Sequence, residues 1–560
     1  MVDTINFPKM HVAYFSMEIG LKNSIPTYSG GLGVLAGDTL RSMADLELPV
    51  VATTLLYKKG YFKQTIDEQG NQHEEEVNWD YEKQMTKLDK QVIVNIQGRD
   101  VIVNVWMYKL KGNTGSILPV LFLDTDNPKN SDYDRTITEK LYGNDQYYRL
   151  CQEAILGIGG MRMVEKLGCN VEKFHMNEGH SALLGIELFK KTKGKNALER
   201  VRERCVFTTH TPVPAGHDQF PAEMARGILG EKYLTPKLES EVLYKGKLNM
   251  TFLGLRFSKY VNGVAKKHGE VSRSMFPGYH IESITNGVHS HFWTAKPFRE
   301  LFSKYLPAWE YDPFSLRYML SIPADEIWDA HIKAKTSLFN HVKAEYGVEM
   351  DPEVFTIGFA RRAASYKRGD MLFADIKRLK SIAKKTDGIQ IIYGGKAHPH
   401  DGEGKEIIKR IIEKMKSVSD KIKVCYMENY EIDVAKLLIS GVDVWLNTPQ
   451  RPKEASGTSG MKAAHNGIPH LSILDGWWLE GHIETLTGWS IGDPVDEATQ
   501  NDTEKDVIDL YNKLEYLIIP KYYQERDHWI KVMKHSIAIN GSFFNTHRMV
   551  QQYVLNAYFK

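Results

Sequence analysis

The stretch PQRPKEASGTSGMKAAHNG at 449–467 gathers groups that could do covalent chemistry. Small residues from Ala455 to Gly460 let a ligand come close to the backbone, and the helix expected after them would offer its amino end to an anion. Lys462 falls in the first turns of that helix. An amine at the positive end of a helix has its pKa pushed down, and burial acts in the same direction. Both favour Schiff-base formation with an aldehyde cofactor.

A second cluster, RRAASYKR at 361–368, follows the apolar run FTIGF and brings four cations together in one loop. Arg361, Arg362 and Arg368 offer forked donors to phosphate oxygens, and Lys367 adds a compact charge, so such a loop could hold two phosphate groups that otherwise repel. The plainer alternative is a solvated basic loop. The third stretch, YSGGLG at 28–33, is glycine-dense and runs into a helical pattern, which suits anion binding by exposed amides or simply a turn before a core helix. Gly31, Gly33 and Ala36 satisfy the GxGxxA spacing of dinucleotide sites, but Pro26 and Tyr28 replace the strand, and Thr53 stands where an acidic ribose partner belongs, so a dehydrogenase reading is rejected.

Elements that would hold these clusters are clearest in the second half. Apolar runs at 355–359, 389–393, 422–426, 442–446 and 469–474 alternate with helical segments, one of which places Ile407, Ile408, Ile411, Ile412 and Met415 on a single face. Alternation at this spacing implies a doubly wound parallel sheet with ligands at the carboxyl ends of its strands. The first half mixes strands (HVAYFSM, VVATTLL, QVIVNI, PVLFL) with helices, and the division between two α/β domains, 1–287 and 288–560, is expected at TNGVHSHFW. The helix carrying Ile327, Ala330, Ala334, Leu338 and Val342 reads as core, and the segment 536–560 as one that crosses back onto the first domain.

The 72 basic and 70 acidic side chains nearly cancel, so overall charge asks for neither nucleic acid nor a membrane. The opening residues lack a basic start followed by a long apolar stretch, which predicts a cytoplasmic protein. Cys151, Cys169, Cys205 and Cys425 form no CxxC pair and are expected to be reduced, mostly buried thiols. His398 and His400 flank a proline and lack a third ligand, so no metal site is expected; Trp477 and Trp478 read as buried structural mass.

The segment EASGTSGMK resembles the cofactor signature of the α-glucan (glycogen, starch, maltodextrin) phosphorylases. The likeness continues in order through YSGGLG, LYGND (141–145), HTPVP (210–214), TNG (285–287) with Trp293, and the RRxxxYK loop, and is greatest to short bacterial and archaeal members. It implies two Rossmann-like domains facing a central cleft, a GT-B-type glycosyltransferase architecture. It also implies pyridoxal 5′-phosphate on Lys462, with Arg361, Lys367, Thr458, Ser459, Trp293 and Tyr430 around the cofactor. By the same likeness Arg362, Lys367 and the Gly30 and Gly31 amides would hold the substrate phosphate; Glu454, Ser456, Gly457, Asn286 and His210 would bind glucose hydroxyls; Tyr366 would line that pocket, and Asp145 would lie on its gating loop.

The implied activity is reversible, retaining phosphorolysis of an α-1,4-glucan to glucose 1-phosphate by a homodimer, with the cofactor phosphate as proton relay. Lys462, Arg362, Lys367 and His210 would be its catalytic residues, and a backbone carbonyl near His210 would steady the developing cation. Four departures stand out: Arg361 for a lysine, Glu431 for an arginine beside the cofactor phosphate, Gln146 for an asparagine and Glu178 for an aspartate. The amino-terminal control segment of animal enzymes is also expected to be missing. The alternatives are a sugar-nucleotide glucan synthase, against which Lys462, separated from Glu454 by seven residues, stands where a second glutamate belongs, and a catalytically silent glucan-binding protein.

Overall fold

The computed structural model describes residues 5–143, 145–213, 216–231, 233–418, 421–492 and 502–559. The chain forms two compact units, one of Met1–Phe62, Glu76–Thr285 and Met549–Lys560, the other of Lys63–Glu75 and Asn286–Arg548. Beyond a single division near residue 288, the hairpin Lys63–Glu75 belongs to the second unit, and Met549–Lys560, within the segment expected to cross back, belongs to the first.

The first unit is built on a nine-stranded sheet. Val12–Ser16 and Val50–Leu55 lie inside it, buried along their whole length, because a parallel sheet covered on both faces needs apolar residues at every position. At one edge Arg99–Lys111 and Thr86–Ile96 turn antiparallel, and the outermost strand is largely exposed. Tyr553 and Tyr558 pack beside the buried His175, whose Nδ1 lies 2.6 Å from the Tyr558 hydroxyl.

The second unit holds six parallel strands: β1 (Thr356–Ala360), β2 (Ile389–Gly394), β3 (Ile422–Met427), β4 (Val444–Asn447), β5 (His470–Ile473) and β6 (Gly488–Ile491). Their order is β3-β2-β1-β4-β5-β6, so the winding reverses between β1 and β4, where an open sheet leaves a crevice for ligands. The five expected apolar runs lie on β1 to β5; β6 was not foreseen, since four residues opened by a glycine show no period. Helix Gly402–Lys416 buries Ile407, Ile408, Ile411 and Met415, and helix Ala324–Tyr346 buries Ile327, Ala330, Ala334, Leu338 and Val342. All four cysteines are free thiols, three of them buried. No helix among the described residues is long and apolar enough to cross a membrane.

Candidate functional site

Loops after β1 and β4 are sewn together on the side of the sheet where the winding reverses. Thr448 Oγ1 donates to the carbonyls of Lys367 and Arg368, each at 3.0 Å, and the Arg368 guanidinium donates to the carbonyls of Thr448 and Pro449. This brings Arg361 and Lys367 onto one carboxylate, that of Glu454: Lys367 Nζ lies 3.1 and 3.0 Å from its two oxygens, and Arg361 donates to it and to Asn447 Oδ1. Burial alone would raise the Glu454 pKa, but the charges of Arg361 and Lys367 outweigh it and hold the group down at about 2. The likeness assigned these cations to phosphate and Glu454 to sugar; the structure joins all three in one cluster.

Asp475, just after β5, was not singled out in the sequence. Its Oδ2 accepts the Glu454 N–H and its Oδ1 the Gly476 N–H, both at 2.9 Å, so it fixes the backbone from which Glu454 projects. Burial pushes its pKa up to about 7, and the nearby Glu454 charge adds to the rise. Gly476, at φ +56°, must be glycine, since a Cβ there would come within 2.5 Å of the Ser456 carbonyl oxygen.

Lys462 lies in helix Thr458–Ala464, with Thr458 as its first residue and Gly457 before it in the left-handed region. Its Nζ sits 3.9 Å from the centre of the Trp293 ring, a cation on an aromatic face, and both side chains are buried. Asn466 sets this pairing. Its Nδ2 donates to the carbonyls of Trp293 (2.9 Å) and Lys462 (3.0 Å), while its Oδ1 accepts the Ala295 N–H at 2.7 Å. Ser459 Oγ accepts the Trp445 indole N–H at 3.1 Å and is thereby turned toward the sheet. Tyr430 packs close to Gly394 at the end of β2, its phenol pKa raised by burial and opposed by the Arg361 charge. Glu431 pairs with Lys396 at 3.5 Å, and burial lowers the Lys396 pKa to about 8.

Arg362 is exposed and lines a small cavity with Arg361, Lys367 and Gly394. Tyr366 lies under the Lys367 ammonium, 4.4 Å from ring centre to Nζ. Among the described residues, Asn286 Oδ1 and Ser456 Oγ are buried and find no hydrogen-bond partner, a costly state that a ligand hydroxyl would relieve. Trp477 and Trp478 are buried, as expected of structural mass.

In the first unit, a Cβ at Gly30 or Gly31 would meet no atom within 4 Å, so the glycine loop faces open space. The Gly30 N–H donates to Glu18 Oε2 at 3.2 Å, and Tyr142 donates to Glu18 Oε1 at 2.6 Å, so that amide is already engaged by a carboxylate. Asp145 caps helix Gln146–Ala154 by accepting the Tyr148 N–H at 2.7 Å. His210 has its Nε2 2.6 Å from Asn177 Oδ1, and burial drops its pKa to about 3, leaving a neutral ring. Glu178 accepts the His210 N–H at 2.7 Å from a backbone held at φ +72°, strain that the glutamate's hydrogen bonds to Gly179 and Thr211 maintain.

An amine against an indole face, a net positive loop on the same sheet and orphaned polar atoms suit an aldehyde that bears a phosphate together with a polyhydroxylated substrate. Comparison with known proteins identifies a family. The family model described as carbohydrate phosphorylase matches residues 23–114 and 161–489. A maltodextrin phosphorylase of Thermococcus litoralis is 40% identical over 99% of this chain and 71% of its own length. A glycogen phosphorylase of Aquifex aeolicus is 37% identical over 99% and 86%. An uncharacterized protein of Methanocaldococcus jannaschii is 32% identical over 98% and 99%.

Proposed function

Since this chain belongs to the carbohydrate phosphorylase family, we propose that it is an α-1,4-glucan phosphorylase that takes glucosyl units from the non-reducing end of its substrate onto inorganic phosphate. The observation that carries this reading is the buried Lys462 amine on the Trp293 face, in the same parallel-sheet unit as the Arg361 and Lys367 cations. Its cofactor is pyridoxal 5′-phosphate, held through Lys462 and flanked by Trp293, Tyr430, Thr458 and Ser459. When bound, that cofactor supplies a phosphate group able to lend and recover a proton.

The protein's own residues do the rest. Arg361, Lys367 and Glu454 carry one net positive charge, and Arg362 adds a second beside them, so the loop attracts phosphate and offsets its charge. Glu454, held ionised, cannot act as a general acid and serves as a hydrogen-bond acceptor for sugar hydroxyls. This separates the site from a retaining glycosidase, which needs a protonated carboxyl and a nucleophilic carboxylate about 5 Å apart. Asn286 Oδ1 and Ser456 Oγ, lacking partners, bind further hydroxyls alongside Gly457, with Tyr366 lining the pocket. For the first unit the likeness gives the Gly30 and Gly31 amides a phosphate role, Asp145 a gating loop and the neutral His210 a sugar hydroxyl; the Gly30 amide would first have to leave Glu18 Oε2. Transfer retains configuration at the anomeric carbon, is reversible, and is carried out by a homodimer in the cytoplasm.

Borohydride reduction followed by peptide mapping is expected to leave a pyridoxyl group on Lys462, and maltodextrin with phosphate to yield glucose 1-phosphate. Turnover with a nucleotide sugar alone would reassign the protein to glucan synthesis. Lys462→Ala is expected to fold and to be inactive.

A further inference from the structure

Four large apolar side chains stand 43% to 58% exposed in one short stretch of the second unit: Tyr311, Phe314, Tyr318 and Leu320. The cause is local geometry. Pro313–Ser321 forms a 3₁₀-helix capped by Asp312, whose Oδ1 accepts the Phe314 N–H at 3.2 Å. With three residues per turn, side chains three positions apart stand above one another. Pro313, Leu316 and Met319 make the buried row, and Leu316 and Met319 join the core of the unit. The other two rows look outward: Tyr311, Phe314, Arg317 and Leu320 on one, Asp312, Ser315 and Tyr318 on the other.

Arg317 lies along this ridge instead of reaching into water. Its guanidinium carbon is 3.9 Å from the centre of the Phe314 ring and 5.1 Å from that of Tyr318. Among the described residues Arg317 meets no carboxylate, and Asp312 meets no cation. The segment 311–321 contains neither lysine nor glutamate. Aromatic rings with an arginine, where lysine and glutamate are missing, have the composition of an interface centre, and an exposed apolar ridge of this kind calls for a partner. A sugar would need an open ring face, whereas Arg317 already covers that of Phe314.

We propose that the partner is a second copy of this chain, and that the ridge is the contact by which two copies associate. The proposal rests on the reading of the protein as a homodimer, and gives that dimer a surface. The ridge is complementary to itself: a twofold axis at Ser315, at right angles to the helix, turns one copy end for end and lays each outward row against its own counterpart. Tyr311 then meets Leu320, Phe314 meets Arg317, and Asp312 meets the Tyr318 hydroxyl. Arg317 of each copy comes between Phe314 and Asp312 of the other, so the charges left without a partner within one chain find each other twice.

Sedimentation equilibrium of the full-length protein over a range of concentrations tests this. The wild type is expected to be a dimer. Arg317→Glu sets like charges against Asp312, Asp312→Lys sets them against Arg317, and each is expected to weaken association about a hundredfold. Mixed in equal amounts, the two variants are expected to recover the dimer to within about threefold of wild type, because both cross-pairs are then of opposite sign. Asp312→Asn, which keeps the cap and loses the charge, is expected to weaken association about tenfold, and it replaces Asp312→Lys should that variant not fold. A dimer unchanged in these variants, or weakened variants that do not restore one another, would overturn the assigned surface and leave the homodimer reading standing. A monomeric wild type would overturn both. A monomer slowed by glycogen in a native gel, the slowing lost in Tyr318→Ala, would give the ridge to glucan and likewise overturn the proposal.

Discussion

The Lys367 ammonium lies 3.1 Å from one oxygen of Glu454 and 3.0 Å from the other, so a single buried cation spans the whole carboxylate. With the Glu454 pKa depressed from 4.5 to about 2, the stability it contributes is fully present above pH 4.5 and is lost as pH falls through about 2. The shift corresponds to about 3 kcal/mol. Urea unfolding between pH 7 and 2 is expected to show this acid loss in the wild type and its absence in Glu454→Gln. At pH 7 the same variant is expected to lose about 3 kcal/mol, since Arg361 and Lys367 are left without their counter-charge.

Asp475 has the opposite sign. Its raised pKa means that its contribution to stability is present below about pH 4 and is lost as pH rises through about 7, where a second negative charge forms beside Glu454. That charge repels an incoming phosphate, so the KM for phosphate is expected to rise above pH 7. Asp475→Asn is expected to flatten this rise while lowering kcat, because one of the two backbone N–H groups loses its acceptor. Initial rates between pH 6 and 8.5 for both proteins check it; parallel profiles would refute it.

Asn466 is the clip between the Lys462 helix and Trp293. Asn466→Ala is expected to destabilise the protein by about 3 kcal/mol, as buried backbone groups lose their partners. It is also expected to release cofactor faster on dialysis, followed by absorbance. Asn466→Asp, which keeps the acceptor for the Ala295 N–H, is expected to recover part of the stability but not the retention.

A second buried cluster lies at the other ends of the strands. Asp443, just before β4, accepts from Lys335 Nζ at 2.6 Å and from the Thr356 N–H at 2.7 Å, with His331 Nε2 2.8 Å from its second oxygen. Asp443→Ala strands a buried ammonium and is expected to cost about 3–5 kcal/mol in urea unfolding. Specific activity of the folded fraction is expected to stay at the wild-type value.

What the sequence could reveal follows from the range of the forces involved. Apolar periodicity announced helix Gly402–Lys416 and strands β1 to β5, because each pattern is local. The short helix that carries Lys462 was legible for the same reason, whereas Trp293, the ring on which its amine rests, lies far earlier in the chain. Nothing local links Glu454 to Arg361, 93 residues earlier, or to Asp475, 21 residues later, since a polar side chain that meets a distant partner leaves no period behind. Gln72, in the hairpin Lys63–Glu75, was invisible on the same grounds, since its Nε2 donates to the Ala397 carbonyl 325 residues away. Asp145, marked by a motif, also has a local task as the cap of helix Gln146–Ala154.

The two compact units exchange sequence: the second needs thirteen residues made before most of the first, and the first needs Met549–Lys560, made after nearly all of the second. During synthesis, then, the Tyr14–His175 region must wait for Tyr553 and Tyr558 to emerge before its interior is filled. Cutting the gene at the apparent border would give two halves, each missing a part of itself, and a ribosome that stalls late would leave the earliest-made unit the one still open.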